Sequence, residues 1–155
     1  MKRLILGLYK EFDKVAFYSV HFETYELCET DRFIQRFSQH EANRDDLQII
    51  KAWIEKMGKE TGALERYFRP ERNASAIPIA TSGLRLYCIR LSDELVILGN
   101  GGRKSSQAVQ DSPDVYPAFK DMNNIYHALR ASLRSGHTER VGKKLFGQLR
   151  FKIEG

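Results

Sequence analysis

The sequence predicts an α+β fold in which helices pack on an antiparallel sheet. Three observations carry this. Leu84 to Leu91 and Leu95 to Leu98 are apolar, β-favouring runs joined by Ser92, Asp93 and Glu94, which is the pattern of an antiparallel hairpin. Ahead of it, Phe33, Ile34 and Phe37, and then Leu47, Ile50, Ile54 and Met57, recur at helical spacing. Behind it, Val115, Ala118, Phe119, Met122, Ile125, Tyr126, Leu129 and Leu133 form one long apolar stripe. The order is strand, two helices, antiparallel strands, helix and tail. It implies two N-terminal helices covering one face of an antiparallel sheet, with a C-terminal helix. No Pro-, Gly- and Ser-rich linker interrupts the chain, so 1–155 reads as a single domain, with 1–14 and 137–155 as extensions.

Each element has its own signal. In 15–20, Val15, Phe17 and Ser19 alternate with Ala16, Tyr18 and Val20, which suits a buried strand, whereas Leu4 to Tyr9 fits either a further strand or a helix start. Thr30 is placed to cap the first helix and Asn43 the second, which Gly58 or Gly62 ends. Tyr67 to Arg69 reads as a strand stopped by Pro70, and Ile77 to Ala80 as an irregular or edge strand because of Pro78. In the hairpin, Leu84, Leu86 and Cys88 point one way and Arg85, Tyr87 and Ile89 the other. Gly99, Asn100, Gly101 and Gly102 are expected to break the second strand. Ser112 caps the long helix, with Pro113 at its first position, and Gly136 closes it. Leu149, Phe151 and Ile153 alternate with basic and acidic residues, as in a short terminal strand.

Composition excludes several function classes. No apolar run approaches the ~20 residues of a membrane helix. The N-terminal stretch lacks the apolar length and the cleavage site of a secretory signal, so a cytoplasmic protein without membrane contact is expected. Cys28 and Cys88 are too far apart for a metal or redox pair, and the four histidines have no ligand spacing, so no metal is expected. The net charge of +5 favours an anionic partner. Gly99 to Ser105 lacks the phosphate-loop spacing, because Arg103 separates Gly102 from Lys104. Its exposed amides, with Arg103, Lys104, Ser105 and Ser106, suit a backbone phosphate instead.

The basic residues are the chemistry-bearing set. Arg66, Arg69, Arg72, Arg85, Arg90, Arg103 and Lys104 lie in or beside the expected sheet and outnumber the acids there. If helices cover only one face, Arg85 and Tyr87 share the open one, where Arg grips phosphate and Tyr stacks on a base. His127, beside the long apolar stripe, is the histidine best placed for acid or base work. The tail residues Arg140, Lys143, Lys144, Arg150 and Lys152 read as a basic arm for an acidic partner or nucleic acid.

The stretch from Ser82 to Ser106, Gly-Leu-Arg-Leu-Tyr-Cys-Ile-Arg leading through Ser-Asp-Glu to Leu-Val-Ile-Leu-Gly-Asn-Gly-Gly-Arg-Lys, resembles the core of RelE/HigB-type toxins of bacterial toxin–antitoxin pairs, within the RelE/ParE superfamily. The resemblance implies a compact α+β fold, a cognate antitoxin as partner, no cofactor, and ribosome-dependent, metal-independent cleavage of mRNA. ParE-like members of the superfamily act on DNA gyrase, which implies noncatalytic binding as the alternative. Arg85 falls where that family has its phosphate-stabilising arginine, and Arg103 or Lys104 where it has its second basic residue. On this reading Tyr87 orients a base, His127 serves as acid or base, and Arg66, Arg69, Arg72 and Arg90 hold RNA. Ala76-Ile-Pro-Ile-Ala stands where RelE carries lysines, and Tyr116 is the nearest tyrosine after Lys104.

Overall fold

A computed structural model describes residues 1–78, 83–104 and 112–155. The expectations placed on Ile79, Ala80, Ser105 and Ser106 lie outside the described residues. The architecture is α+β, with a seven-stranded sheet between helices on both sides. Strand β1 (Lys2–Glu11) folds back on β2 (Ala16–Phe22) through a bulge between Leu8 and Lys10. Helices α1 (Glu29–Phe37) and α2 (Glu41–Lys56) follow. Next come the short strands β3 (Arg69–Glu71) and β4 (Ala74–Ile77), then the long hairpin of β5 (Leu84–Ser92) and β6 (Leu95–Arg103). Helix α3 (Tyr116–Ser135) is succeeded by a two-stranded ribbon, β7 (Thr138–Val141) and β8 (Lys144–Gly147), and by β9 (Arg150–Ile153). The sheet order is β3-β4-β5-β6-β2-β1-β9.

The expected antiparallel sheet is in fact mixed, because β2 and β6 run parallel from Ala16↔Leu95 to Ser19↔Leu98. Parallel neighbours need a long crossover, and here the chain between β2 and β6, including α1, α2 and three strands, supplies it. The expected open second face is also corrected. Phe33 and Phe37 of α1, with Leu47 and Ile50 of α2, bury one sheet face through Phe17, Leu84, Leu86, Cys88, Val96 and Leu98. Phe119, Met122, Ile125 and Leu129 of α3 bury the other through Leu4, Leu6, Tyr87, Ile89, Leu95 and Ile97. The alternation along β5 therefore sends Leu84, Leu86 and Cys88 to one core and Tyr87 and Ile89 to a second.

The glycines do not break β6, which continues through them to Arg103. They are required by close approach. A Cβ on Gly101 would collide with the backbone oxygen of Arg85, one on Gly102 with that of Asp114, and one on Gly99 with the sulfur of Met122. Both expected caps move as well. Helix α1 begins after Cys28, so Thr30 sits inside it, fully buried. Its hydroxyl lies 2.7 Å from Ser19 Oγ and donates to Gly99 O at 3.1 Å, which ties α1 to β2 and β6. Helix α2 begins after His40. It runs into a wider turn at Met57–Thr61 that Gly62 closes at φ +83°. The segment expected to start a strand at Tyr67 is a 3-10 turn, Glu65–Tyr67, before β3.

Candidate functional site

Register decides which basic residues can meet. Arg69 lies opposite Ala76, and Ala76 opposite Tyr87, so these three share a face. Glu71 lies opposite Ala74 and joins them, and Arg85, two residues from Tyr87 on the same strand, does too. This is the face that α3 covers. Arg85 is 6% exposed there rather than looking out from an open face, and Tyr87 is 0% exposed. Lys104, just past β6, brings its ammonium 3.8 Å from Glu71 Oε1, and Arg69 Nε lies 3.6 Å from the same oxygen. Arg69 is the member that reaches solvent, while the Lys104 side chain is almost covered.

Arg103 is elsewhere. It pairs with Leu84, whose side chain enters the α1/α2 core, so its guanidinium leaves on the opposite face from Arg85. There it donates to Asn43 Oδ1 and Asp46 Oδ2 of α2. The expectation that Arg103 and Lys104 act as one pair beside Arg85 therefore holds only for Lys104. Arg90 also faces α2's side, donating to Ala63 O at 2.6 Å and pairing with Asp93. Arg66 packs over Tyr67, away from the cluster. Arg72 stays near. It occupies the β3–β4 turn at φ +61° with its guanidinium 5.8 Å from the Phe119 ring.

Tyr87 cannot stack on a base from its buried position. Its ring meets Phe119 edge-on at 6.2 Å. The exposed ring nearby is Tyr116, stacked on Phe119 at 6.1 Å and 41% exposed. His127 is turned to the β3–β4 turn, with Nε2 3.2 Å from Asn73 Nδ2. One helical turn before it, Asn123 clamps that turn. Its Oδ1 accepts from the amides of Asn73 and Ala74, and its Nδ2 donates to Glu71 O and Phe119 O. Asn123 is thus a positioning residue for Glu71. Sequence reasoning missed it because it lies on the apolar stripe of α3.

The electrostatics of the cluster are one-sided. Among the described residues, Arg69 and Lys104 lie beside one carboxylate, Glu71, with Arg85 on the same face, and Asp46 also acts on the Arg85 charge. Burial, and then Arg69, push the Arg85 guanidinium below its ordinary value. Burial, with Arg69 and Arg85 against Glu71, pushes the Lys104 ammonium down as well. Burial and Glu71 push the Tyr87 phenol well up, so it stays protonated and serves as a donor. Among the described residues, the buried Tyr87 hydroxyl has no hydrogen-bond partner, and the buried Glu71 Oε1 has none beyond its ion pairs with Arg69 and Lys104; an unpaired buried hydroxyl costs about 1–3 kcal/mol. The arrangement gathers positive charge, a hydroxyl donor and a carboxylate acceptor in one place, with Arg69 as its member that reaches solvent.

Among the described residues, no group of three His, Cys, Asp or Glu is placed to hold a metal ion, and no helix is long and apolar enough to cross a membrane. Comparison with protein-family models, with curated proteins and with solved structures returns no match to the chain.

Proposed function

We propose that the chain acts on RNA as a toxin of the RelE/HigB kind, cleaving translated mRNA on the ribosome without a metal, in the cytoplasm, and restrained by a cognate antitoxin. The observation that carries this reading is the pairing of Arg69 and Lys104 with Glu71 on the face of Arg85 and Tyr87, on the strand whose residues resemble that family. The layout lends this reading no support, since the mixed seven-stranded sheet differs from the antiparallel RelE-like sheet expected from the sequence.

In such a reaction the ribose 2′-oxygen attacks phosphorus and the bond to O5′ breaks, leaving a 2′,3′-cyclic phosphate. Arg69 and Lys104 hold the phosphate, and Arg85 beneath them adds to the positive potential as negative charge builds on the non-bridging oxygens. Glu71 is the group in the cluster able to take the 2′-proton, and O5′ takes its proton from water. Tyr116 offers an exposed ring to a neighbouring base.

One observation favours a second reading, binding without cleavage: the His127 ring contacts Asn73 and Arg103 is spent on Asn43 and Asp46, so the cluster shows more charge stabilisation than proton-transfer capacity. The two are separated by inducible expression with primer-extension mapping of mRNA ends. The nuclease reading expects growth arrest with new 5′ ends that disappear in Glu71→Gln. Arrest with intact mRNA and inhibited gyrase supports the binding reading, and no arrest in the absence of any antitoxin overturns both.

A further inference from the structure

A second basic surface lies at the far end of the sheet, built from β9 and therefore from the chain beyond α3. A cavity of about 750 Å³ runs between the C-terminal half of α3 and the β1–β9 pair. Its floor is Leu4 and Phe151, its helix wall is kept low by Ala128 and Ala131, and its rim carries Arg3, Arg150 and Lys152. Glu23 is the one acid lining it. Arg3 stands directly opposite Lys152, and Arg150 is opposite Ile5. Like charges in directly opposed positions destabilise a sheet, and none of these three cations makes an ion pair with a described residue.

Strand β9 also ends the sheet. The amide of Leu6 donates to Leu149 O at 2.9 Å, so Leu149, Phe151 and Ile153 turn their backbone groups inward to β1. By alternation, the amides of Arg150 and Lys152 point outward. Arg150 O is already taken by the Gln148 side chain, and among the described residues both amides and Lys152 O have no strand beside them. A second copy of this chain is a poor visitor, because pairing two such edges sets Arg150 and Lys152 against their own kind.

We propose that this edge and groove receive an extended segment of a partner protein in which acidic and apolar residues alternate. It would add as a strand beside β9, with acids toward Arg3, Arg150 and Lys152 and apolar side chains in the cavity beside Phe151. A nucleic acid fits less well, since an apolar floor offers phosphates nothing and the phenyl ring in that floor, Phe151, is 7% exposed and leaves a base little face to stack on.

The test uses the full chain and three fluorescein-labelled probes: a decapeptide of alternating Glu and Val, its Lys–Val counterpart, and a single-stranded RNA decamer. The acidic peptide is expected to bind in preference to the basic one and to protect the amides of Arg150 and Lys152 from hydrogen exchange. Its affinity is expected to fall about tenfold or more in the Arg150→Glu/Lys152→Glu double variant. Ala131→Phe, an exposed position that leaves every charge in place, is expected to weaken it too by filling the groove. Equal binding of both peptides, binding that survives the double variant, or RNA binding that the double variant abolishes while the peptide does not bind would overturn the proposal.

Discussion

Arg85 and Arg103 lie on adjacent strands, one position out of register, so their side chains leave on opposite sides of the sheet. Arg85 is opposite Gly102 and turns toward α3, whereas Arg103 is opposite Leu84 and turns to Asp46 and Asn43 of α2. The two arginines accordingly have separate jobs. Replacing Arg103 by Ala removes hydrogen bonds to partly exposed partners, which is worth about 1 kcal/mol. The expected result is a melting temperature lower by roughly 2–4 °C with RNA affinity unchanged. A calorimetric melt and an RNA titration on the same preparation check both parts.

The glycines of β6 are steric rather than conformational requirements. Gly101→Ala pushes a methyl into the backbone of β5 at Arg85, and neither strand can give way without breaking the ladder. We expect a loss of about 3 kcal/mol in urea unfolding. Gly7→Ala, where nothing lies within 4 Å of the added methyl, is the matched control and is expected to be neutral or slightly stabilising.

Thr30 links three elements through one hydroxyl. Thr30→Val keeps the shape but leaves Gly99 O and Ser19 Oγ short of a partner in a buried place. Unfolding free energy should fall by about 1–3 kcal/mol, with α1 the first segment to gain hydrogen exchange.

Lys104 gives the site a pH signature. Its folded pKa lies below the ordinary 10.5, because burial and two arginines oppose its charge. A cation whose pKa is depressed in the fold costs stability while protonated; that cost begins to shrink as pH rises through the folded value and is gone above the unfolded one. Anion binding runs the other way, since only the protonated ammonium attracts phosphate. Affinity for a short RNA should therefore fall as pH rises through a point below 10.5, with proton uptake on binding near that point. Lys104→Arg, which stays charged, should flatten the profile.

Much of the hairpin was legible because a period-2 apolar pattern needs no tertiary information. The 3.6-residue stripes marked α2 and α3 for the same reason, and the terminal alternation marked β9. What escaped depends on partners distant in sequence. Thr30 and Asn43 look like caps because small polar residues precede apolar runs. Each spends its side chain on a remote group instead, Gly99 O in one case and Arg103 in the other. The parallel contact of β2 with β6 has no local signal at all. The β7–β8 ribbon did have one: Gly142 and Lys143 form a two-residue loop with Gly142 at φ +58°, between Val141 and its partner Lys144. The basic face of Arg69, Arg85 and Lys104 was visible as composition, but only register removed Arg103 and Arg90 from it and added Glu71.

The anion-binding capacity of the α3-facing cluster is tested most directly by fluorescence anisotropy of a short single-stranded RNA. Arg69→Ala, at the exposed mouth, is expected to weaken binding about tenfold, or ~1.4 kcal/mol, with the salt dependence reduced by about one phosphate contact. Arg103→Ala should leave both unchanged. Equal losses in the two variants, or a loss in Arg103→Ala alone, would contradict the account.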